Sequence, residues 1–220
     1  MSSINPHFTF NYLQPDEYHF SHDSVFLARK VFELIRDQNI EYRSILDLCS
    51  GCGVVGLDLL HHLKNDDLNA TNSIDFIDIQ DIYLEYFNKN IKTLALIFSN
   101  LPSCNFLNLN YEQIKNNPLL KSKYDLIVCN PPYFRVSQGA LSQSNFKNRC
   151  RFFIDSTFAD LIYSIEYSLS ETGSAFVLLK SLTDHSICIE KEFELLNAHL
   201  NLTKISVIRN TDLFKINRKT

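Results

Sequence analysis

Residues 44–56 read SILDLCSGCGVVG, and this stretch decides how the rest of the chain is interpreted. Its first half is a short apolar run that predicts a buried β-strand, and three glycines follow within six residues. The whole chain of 220 residues contains only five glycines, so their concentration here indicates a backbone that something approaches closely. A strand, a tight turn and a helix are therefore predicted in this order.

Alternating strand and helix patterns continue on both sides of this stretch. Strands are predicted at residues 44–49, 74–79, 104–109, 124–129, 174–180 and 202–209. Helices are predicted from Ser21 onward and at residues 57–63, 83–98, 156–169 and 188–199, and the polar stretch 135–151 is expected to be a loop. This alternation predicts a three-layer α/β fold with a doubly wound, mostly parallel sheet.

The composition limits the class of protein. A hydrophobic content of 45% with 21% charged residues is typical of a globular chain and excludes a disordered one. No apolar run reaches the roughly 18 residues of a membrane span, and no signal peptide is visible. The six dispersed cysteines then favour reduced thiols and a cytoplasmic location. The formal net charge of −4 argues against nonspecific coating of nucleic acid, but it allows a local basic face.

The chain is expected to be a single domain over residues 1–220, because no repeat, low-complexity segment or linker interrupts it. Residues 1–43 would form an aromatic N-terminal segment and a helix, and residues 44–220 the core. The sequence does not fix the oligomeric state, although a monomer is favoured.

The glycines match a nucleoside-binding turn. Gly51, Gly53 and Gly56 fit the spacing G-x-G-x-x-G directly after a predicted strand, where a parallel sheet places its ligand. Asp78 lies 22 residues beyond Gly56, at the end of the second strand, and its carboxylate can accept protons from ribose hydroxyls. We therefore predict a cofactor site that includes Asp78 and the adjacent Ile79.

The glycine motif alone does not separate NAD from S-adenosylmethionine. Asp47 precedes the turn, and a carboxylate there would attract the cationic end of S-adenosylmethionine but repel a diphosphate. Cys49 stands where methyltransferases usually carry the first glycine of this turn. Cys49 and Cys52 form C-x-x-C without a second pair, so we expect no metal site.

A second motif, Asn130-Pro131-Pro132-Tyr133, follows the fourth predicted strand and should face the same crevice. The two prolines fix the backbone, so the Pro131 carbonyl and the Asn130 side-chain oxygen form two rigid acceptors for a planar NH2 group. Such acceptors favour a pyramidal nitrogen whose lone pair faces a methyl donor, without a strong base. The ring of Tyr133 offers a surface on which a flat substrate can stack.

Together, DLCSGCG, Asp78 and NPPY resemble the class I S-adenosylmethionine-dependent methyltransferases that act on adenine N6 or glutamine amide nitrogen. This resemblance covers nearly the whole chain and implies a Rossmann-like fold, with S-adenosylmethionine as cofactor and residues 130–133 as the catalytic motif. Cys49, Gly51, Gly53 and Asp78 would bind the cofactor.

Two further segments resemble the bacterial tRNA1(Val) (adenine-37-N6)-methyltransferases. Residues 14–28 resemble an N-terminal motif of that family. Asp23 matches an aspartate of this motif, and by this resemblance it would border the cofactor pocket. Lys147 and Arg151 resemble a later segment, and they are expected to position phosphates of an RNA substrate. Asn110 replaces the usual acid after the third strand, where its carboxamide would accept from the cofactor's adenine amine.

Other functions remain open at this level. Glutamine methyltransferases share NPPY, but they have a helical domain before the sheet, for which the 43 residues before Ser44 are too few. A DNA adenine methyltransferase, an NAD-dependent dehydrogenase and a noncatalytic nucleotide-binding module are further alternatives. The last two give NPPY no role, so methylation of adenine in RNA, with tRNA as the expected RNA, is the leading hypothesis.

Members of the resembled family usually end in an antiparallel edge strand. Only residues 212–219 remain for it here, so this strand is expected to be short or frayed. Basic residues near the chain terminus could add to an RNA surface, and these are Lys204, Arg209, Lys215, Arg218 and Lys219.

Overall fold

The computed structural model describes residues 11–68, 70–181 and 188–219, so the first ten residues of the expected N-terminal segment lie outside it. Its main feature is a seven-stranded sheet with the order β3-β2-β1-β4-β7-β9-β8. These strands are β1 (Ser44–Leu48), β2 (Ser73–Asp78), β3 (Ser103–Asn108), β4 (Tyr124–Cys129), β7 (Leu169–Leu179), β8 (Leu200–Ile208) and β9 (Thr211–Arg218). The first five strands of the order are parallel, and β9 is antiparallel to both β7 and β8.

Helices cover both faces of this sheet, which confirms the predicted three-layer α/β architecture. The helices are α1 (His22–Gln38), α2 (Val54–Asn65), α3 (Tyr83–Ile97), α4 (Asn145–Arg151), α5 (Phe158–Ser168) and α6 (Ile189–Leu195). Helices α1, α2 and α3 pack on one face, and α5 and α6 pack on the other. A two-stranded parallel pair, β5 (Phe134–Arg135) and β6 (Phe152–Phe153), lies outside the main sheet.

The alternation of side chains along β1 divides the core between the two faces. Ile45 belongs to the apolar cluster under α1, α2 and α3, whereas Leu46 and Leu48 belong to the cluster under α5 and α6. All three side chains are fully buried, as expected for a central parallel strand covered on both sides. By the same period of two, Asp47 shares the face of Ile45.

Two glycines of the turn after β1 meet different structural demands. Gly51 has φ +53°, a left-handed conformation that L-residues rarely adopt. Gly56 lies in the first turn of α2, where an added Cβ would sit 2.6 Å from Cε1 of Phe76. Gly56 therefore permits the close packing of α2 on β2, and Gly51 permits the turn itself.

Three predictions about local structure differ from the structure. The stretch 135–151 is not only a loop, because residues 145–151 form α4. The final strand β9 is neither short nor frayed, since it runs over Thr211–Arg218 between β7 and β8. The predicted helix at 188–199 is also shorter, ending at Leu195. Within the described ranges, no helix has the length and apolarity needed to cross a membrane.

Candidate functional site

A cavity of about 250 Å³ opens where β1, β2 and β4 end. Its walls come from the turn after β1, the end of β2, the NPPY segment, residues 14–24 and residues 149–156. The predicted site residues that line it are Asp23, Cys49, Gly51, Asp78, Ile79, Asn110, Asn130, Pro131, Pro132, Tyr133 and Arg151. Asp47, Gly53 and Lys147 are not among the residues that line this cavity.

Asp78 is fixed at the end of β2 by two backbone donors. Its Oδ2 accepts from the N–H of Gly51 at 2.8 Å, and its Oδ1 accepts from the N–H of Gln80 at 2.9 Å. Burial raises the pKa of the Asp78 carboxyl to about 6, although both hydrogen bonds favour the ionised form. The carboxylate is thus attached to the glycine turn and lines the cavity.

Asp47 does not reach the cavity, which corrects the expectation that it contacts a cofactor directly. Its side chain is completely buried, and its Oδ2 accepts from the N–H of Gly56 at 2.8 Å. Burial raises the pKa of this carboxyl to about 8, opposed by that hydrogen bond and reinforced by Asp78. The Asp47 carboxylate therefore holds the first turn of α2 through its hydrogen bond with Gly56.

The turn after β1 contains a buried hydroxyl without a partner. Among the described residues, the Ser50 hydroxyl is buried and has no hydrogen-bond partner, and Ser50 lines the cavity beside Gly51. The Ser50 N–H donates to the Ile77 carbonyl at 3.0 Å, which fixes the turn against β2. The backbone of this turn is therefore held at the cavity wall by β2.

The NPPY segment places a polar side chain between two protein partners. The Asn130 Nδ2 donates to Oγ of Ser24 at 2.9 Å, and its Oδ1 accepts from the Tyr133 hydroxyl. No hydrogen bond within the described part of the chain uses the Pro131 carbonyl. Two acceptor oxygens, those of Asn130 and Pro131, therefore lie on one motif that lines the cavity.

Asn110 has a structural role that the sequence did not indicate. Its Oδ1 accepts from the N–H of Glu112 at 3.1 Å and from the Ser156 hydroxyl at 2.6 Å. Its Nδ2 donates to the Asp155 carbonyl at 3.3 Å. The oxygen expected to receive a cofactor amine is already engaged, so Asn110 joins the end of β3 to residues 155–156 instead.

The N-terminal segment supplies cavity residues to which the sequence assigned no individual role. Gln14, Tyr18 and Phe20 line the cavity, and Oε1 of Gln14 accepts from the N–H of Phe20 at 2.7 Å. Asn90 of α3 holds this segment, since its side chain bonds both the N–H and the carbonyl of Leu13. The resemblance of residues 14–28 to a family motif and the aromatic composition of residues 11–20 were the sequence signals for this role.

The basic residues at the cavity differ in their partners. Arg149 forms a bidentate ion pair with Asp155, at 2.8 and 3.1 Å. The Arg151 guanidinium instead covers the rings of Phe134 and Phe152, at 5.9 and 5.4 Å from their centroids. Lys147 is exposed on α4, outside the cavity wall.

The other cations expected to face RNA are mostly engaged within the protein. Arg209 lies 3.4 Å from the Asp23 carboxylate, and Lys204 pairs with Asp212 at 2.7 Å. Arg218 donates to two backbone carbonyls near the end of α5. No cluster of three or more histidine, cysteine or acidic side chains with metal-binding geometry occurs in the ranges that the structure describes.

Known proteins resemble this chain in both sequence and fold. A family model described as lysine methyltransferase matches residues 21–135, just over half of the 220 residues. The release factor glutamine methyltransferase of Mycoplasma mycoides is 34% identical over 124 residues, which are 54% of this chain and 39% of that protein. The tRNA1(Val) (adenine(37)-N6)-methyltransferase of Aliivibrio salmonicida is 27% identical over 183 residues, 82% of this chain and 69% of that protein.

Solved structures agree with the fold. The SAH-bound methyltransferase of Podospora anserina has a TM-score of 0.56 at 12% identity, covering 93% of this chain and 81% of its own. The CMeT domain of citrinin polyketide synthase has a TM-score of 0.60 at 12% identity, with coverages of 93% and 55%. The match to the family model over residues 21–135 shows that this chain belongs to the methyltransferase family described by that model, with a class I methyltransferase fold.

Proposed function

We propose that this protein is an S-adenosylmethionine-dependent methyltransferase whose acceptor is the N6 amine of an adenine in RNA. The observation that carries the proposal is the shared cavity, in which the acceptors of Asn130 and Pro131 and the turn around Gly51 and Asp78 line the same space. A methyl donor held by the turn would therefore lie next to an amine held by NPPY.

The cavity residues fit the proposed cofactor. S-adenosylmethionine supplies an electrophilic methyl group on a sulfonium centre. The ionised Asp78 carboxylate would accept from its ribose hydroxyls. Because Asp47 does not reach the cavity, the preference over NAD rests on NPPY and on family membership.

The NPPY residues would activate a weak nucleophile by position alone. An adenine N6 amine has a delocalised lone pair, so it gains reactivity when both of its protons are held by fixed acceptors. The Asn130 oxygen and the Pro131 carbonyl would accept these protons and turn the nitrogen lone pair toward the methyl group. No general base is required for this arrangement.

Aromatic walls favour a flat base as the acceptor. Eight aromatic side chains line the cavity, namely Tyr18, Phe20, Tyr83, Tyr111, Tyr133, Phe134, Phe152 and Phe153. Stacking of a base on such a ring is worth about 1–3 kcal/mol, which helps to offset the cost of removing the base from its stack. A relative named as an adenine-N6 methyltransferase of tRNA also aligns over 82% of this chain.

A glutamine side chain of a protein is the second candidate acceptor. The supporting observation is the higher identity, 34%, to a release factor glutamine methyltransferase. A glutamine amide carries the same planar NH2 group, so the two acceptors of NPPY would serve it equally. A lysine acceptor fits less well, because an ammonium group must first lose a proton and Asn130 is not a base.

Labelled S-adenosylmethionine separates these candidates. The protein is incubated with total RNA, and separately with total protein, from cells that lack it. We expect label in RNA, and we expect Asn130→Ala to abolish transfer while S-adenosylhomocysteine still binds with nearly unchanged affinity. Label only in protein, or in neither fraction, would contradict the RNA assignment, and loss of cofactor binding would assign Asn130 to that site or to folding.

A further inference from the structure

We infer that Ser24 is a positioning residue, which fixes the Asn130 carboxamide so that its oxygen faces the acceptor amine. The inference rests on the proposed function, in which Asn130 accepts a proton of that amine. Ser24 lies in the first turn of α1, far from NPPY in sequence, and the motif search assigned it no role.

A carboxamide has two ends of nearly equal size but opposite hydrogen-bonding character. Its oxygen accepts and its NH2 group donates, so a rotation by 180° would present a donor to the donor groups of the substrate. The shape of Asn130 does not choose between the two orientations. The choice must come from neighbouring groups that distinguish an acceptor from a donor.

Ser24 supplies the acceptor at the nitrogen end, and because a hydroxyl can also donate, the polarity of the carboxamide is set together with the donor at the oxygen end. Its Oγ accepts from Asn130 Nδ2 at 2.9 Å, and the Ser24 side chain is buried. The Ser24 N–H donates to the Ser21 carbonyl at 3.2 Å, so the first turn of α1 holds the hydroxyl in place. A buried NH2 group with no acceptor destabilises the folded state. Removal of the Ser24 hydroxyl would therefore let the Asn130 carboxamide leave its preferred orientation.

Tyr133 reinforces the choice at the oxygen end. Its hydroxyl donates to Asn130 Oδ1. Burial raises the pKa of Tyr133 above its usual value, opposed by a hydrogen bond from Thr211 to the Tyr133 oxygen, so this oxygen already accepts from Thr211 and the Tyr133 proton is directed to Asn130. An amide oxygen has two lone pairs and can accept a substrate proton in addition.

The test observes the carboxamide directly and then its effect on turnover. In ¹⁵N-labelled protein, the side-chain NH2 resonances of Asn130 are assigned by their loss in Asn130→Asp. In Ser24→Ala we expect these resonances to shift and to exchange faster with water. In the matched control Ser168→Ala, which removes another buried helical serine hydroxyl, they should stay unchanged.

Turnover is measured on the RNA that the wild type methylates. Ser24→Ala should lower kcat by about three- to tenfold, the range expected for one lost hydrogen bond, with an unchanged KM for S-adenosylmethionine. Ser24→Cys keeps the side-chain volume but offers a weak acceptor, so it should behave like Ser24→Ala. Melting temperatures identify any variant that fails to fold.

Three results would overturn the inference. These are unmoved Asn130 resonances in Ser24→Ala, moved resonances with an unchanged kcat, or wild-type behaviour of Ser24→Cys. If the wild type transfers methyl groups to neither RNA nor protein, the proposed function fails separately. The resonances still decide in that case whether Ser24 holds Asn130.

Discussion

Asp78 is the residue whose charge should control cofactor affinity. Its pKa of about 6 means that the carboxylate is mostly protonated at pH 5 and mostly ionised at pH 7. Only the ionised form offers all its lone pairs to the ribose hydroxyls, beyond those used by the N–H groups of Gly51 and Gln80. We therefore expect the affinity for S-adenosylhomocysteine to rise from pH 5 to pH 7, with its midpoint near 6.

Titration calorimetry at several pH values measures this dependence. Asp78→Asn should bind more weakly and lose the rise, since an amide does not titrate. Circular dichroism at each pH controls for unfolding. An affinity that is flat between pH 5 and pH 7 in the wild type would show that Asp78 does not face the cofactor.

The sequence correctly predicted which strand ends carry polar residues, but not where each side chain points. Asp47 and Asp78 both lie in or at the ends of strands, yet only Asp78 lines the cavity. Asp47 shares the face of Ile45 and lies under α2, bonded to Gly56. The contacts of the Asn110 side chain were not predictable for a different reason, because its partners Asp155 and Ser156 are distant in sequence.

At the scale of elements, Asn90 of α3 joins the N-terminal segment to the glycine turn. Its buried side chain bonds Leu13 on one side and donates to the Cys52 carbonyl, at 3.1 Å, on the other. Asn90→Ala removes these bonds and should cost roughly 2–3 kcal/mol, because buried backbone groups lose their partners. We expect faster hydrogen exchange in residues 11–20 and weaker binding of S-adenosylhomocysteine, since this segment forms part of the cavity wall.

Asn88→Ala is the matched control, because Asn88 is exposed on the same helix. It should change neither the exchange nor the affinity. Unchanged exchange in Asn90→Ala, measured by mass spectrometry of peptides from residues 11–20, would show that other contacts hold the segment.

Helix α4 shows why one element escaped prediction. Stretch 135–151 has no hydrophobic period, and polar contacts hold the helix instead. The buried Asn148 bonds backbone and side-chain atoms of Ser142, and Cys150 lies 3.2 Å from the Tyr83 hydroxyl. Strands β1 to β4 were predictable because each contains a short group of apolar residues between turn signals, whereas a contact such as that of Cys150 with Tyr83 joins residues far apart in sequence and leaves no local pattern.

At the scale of the whole molecule, the net charge of −4 implies that RNA must bind to a local surface. Arg149, Arg209 and Lys204 are paired with carboxylates, so each attracts an anionic ligand less strongly. Lys147 and Arg151 have no carboxylate partner among the described ion pairs. These two residues are thus the best candidates for phosphate contacts beside the cavity.

The double variant Lys147→Ala and Arg151→Ala should bind RNA more weakly. The decrease of log affinity with log salt concentration should also become shallower, by about 1–2 units of slope. The control is Lys92→Ala with Lys121→Ala, which removes the same charge from exposed positions outside the cavity wall. Filter binding at several salt concentrations measures both double variants. Equal slopes for the two would exclude phosphate contacts by Lys147 and Arg151.

The chemical identity of the methylated product shows which atom the protein methylates. RNA methylated by the protein with labelled S-adenosylmethionine is digested to nucleosides, which are separated and identified by mass spectrometry. We expect label in N6-methyladenosine, and no label when Asn130→Ala replaces the wild type. Label in another nucleoside, or only in N5-methylglutamine from protein hydrolysed in parallel, would contradict the proposed function.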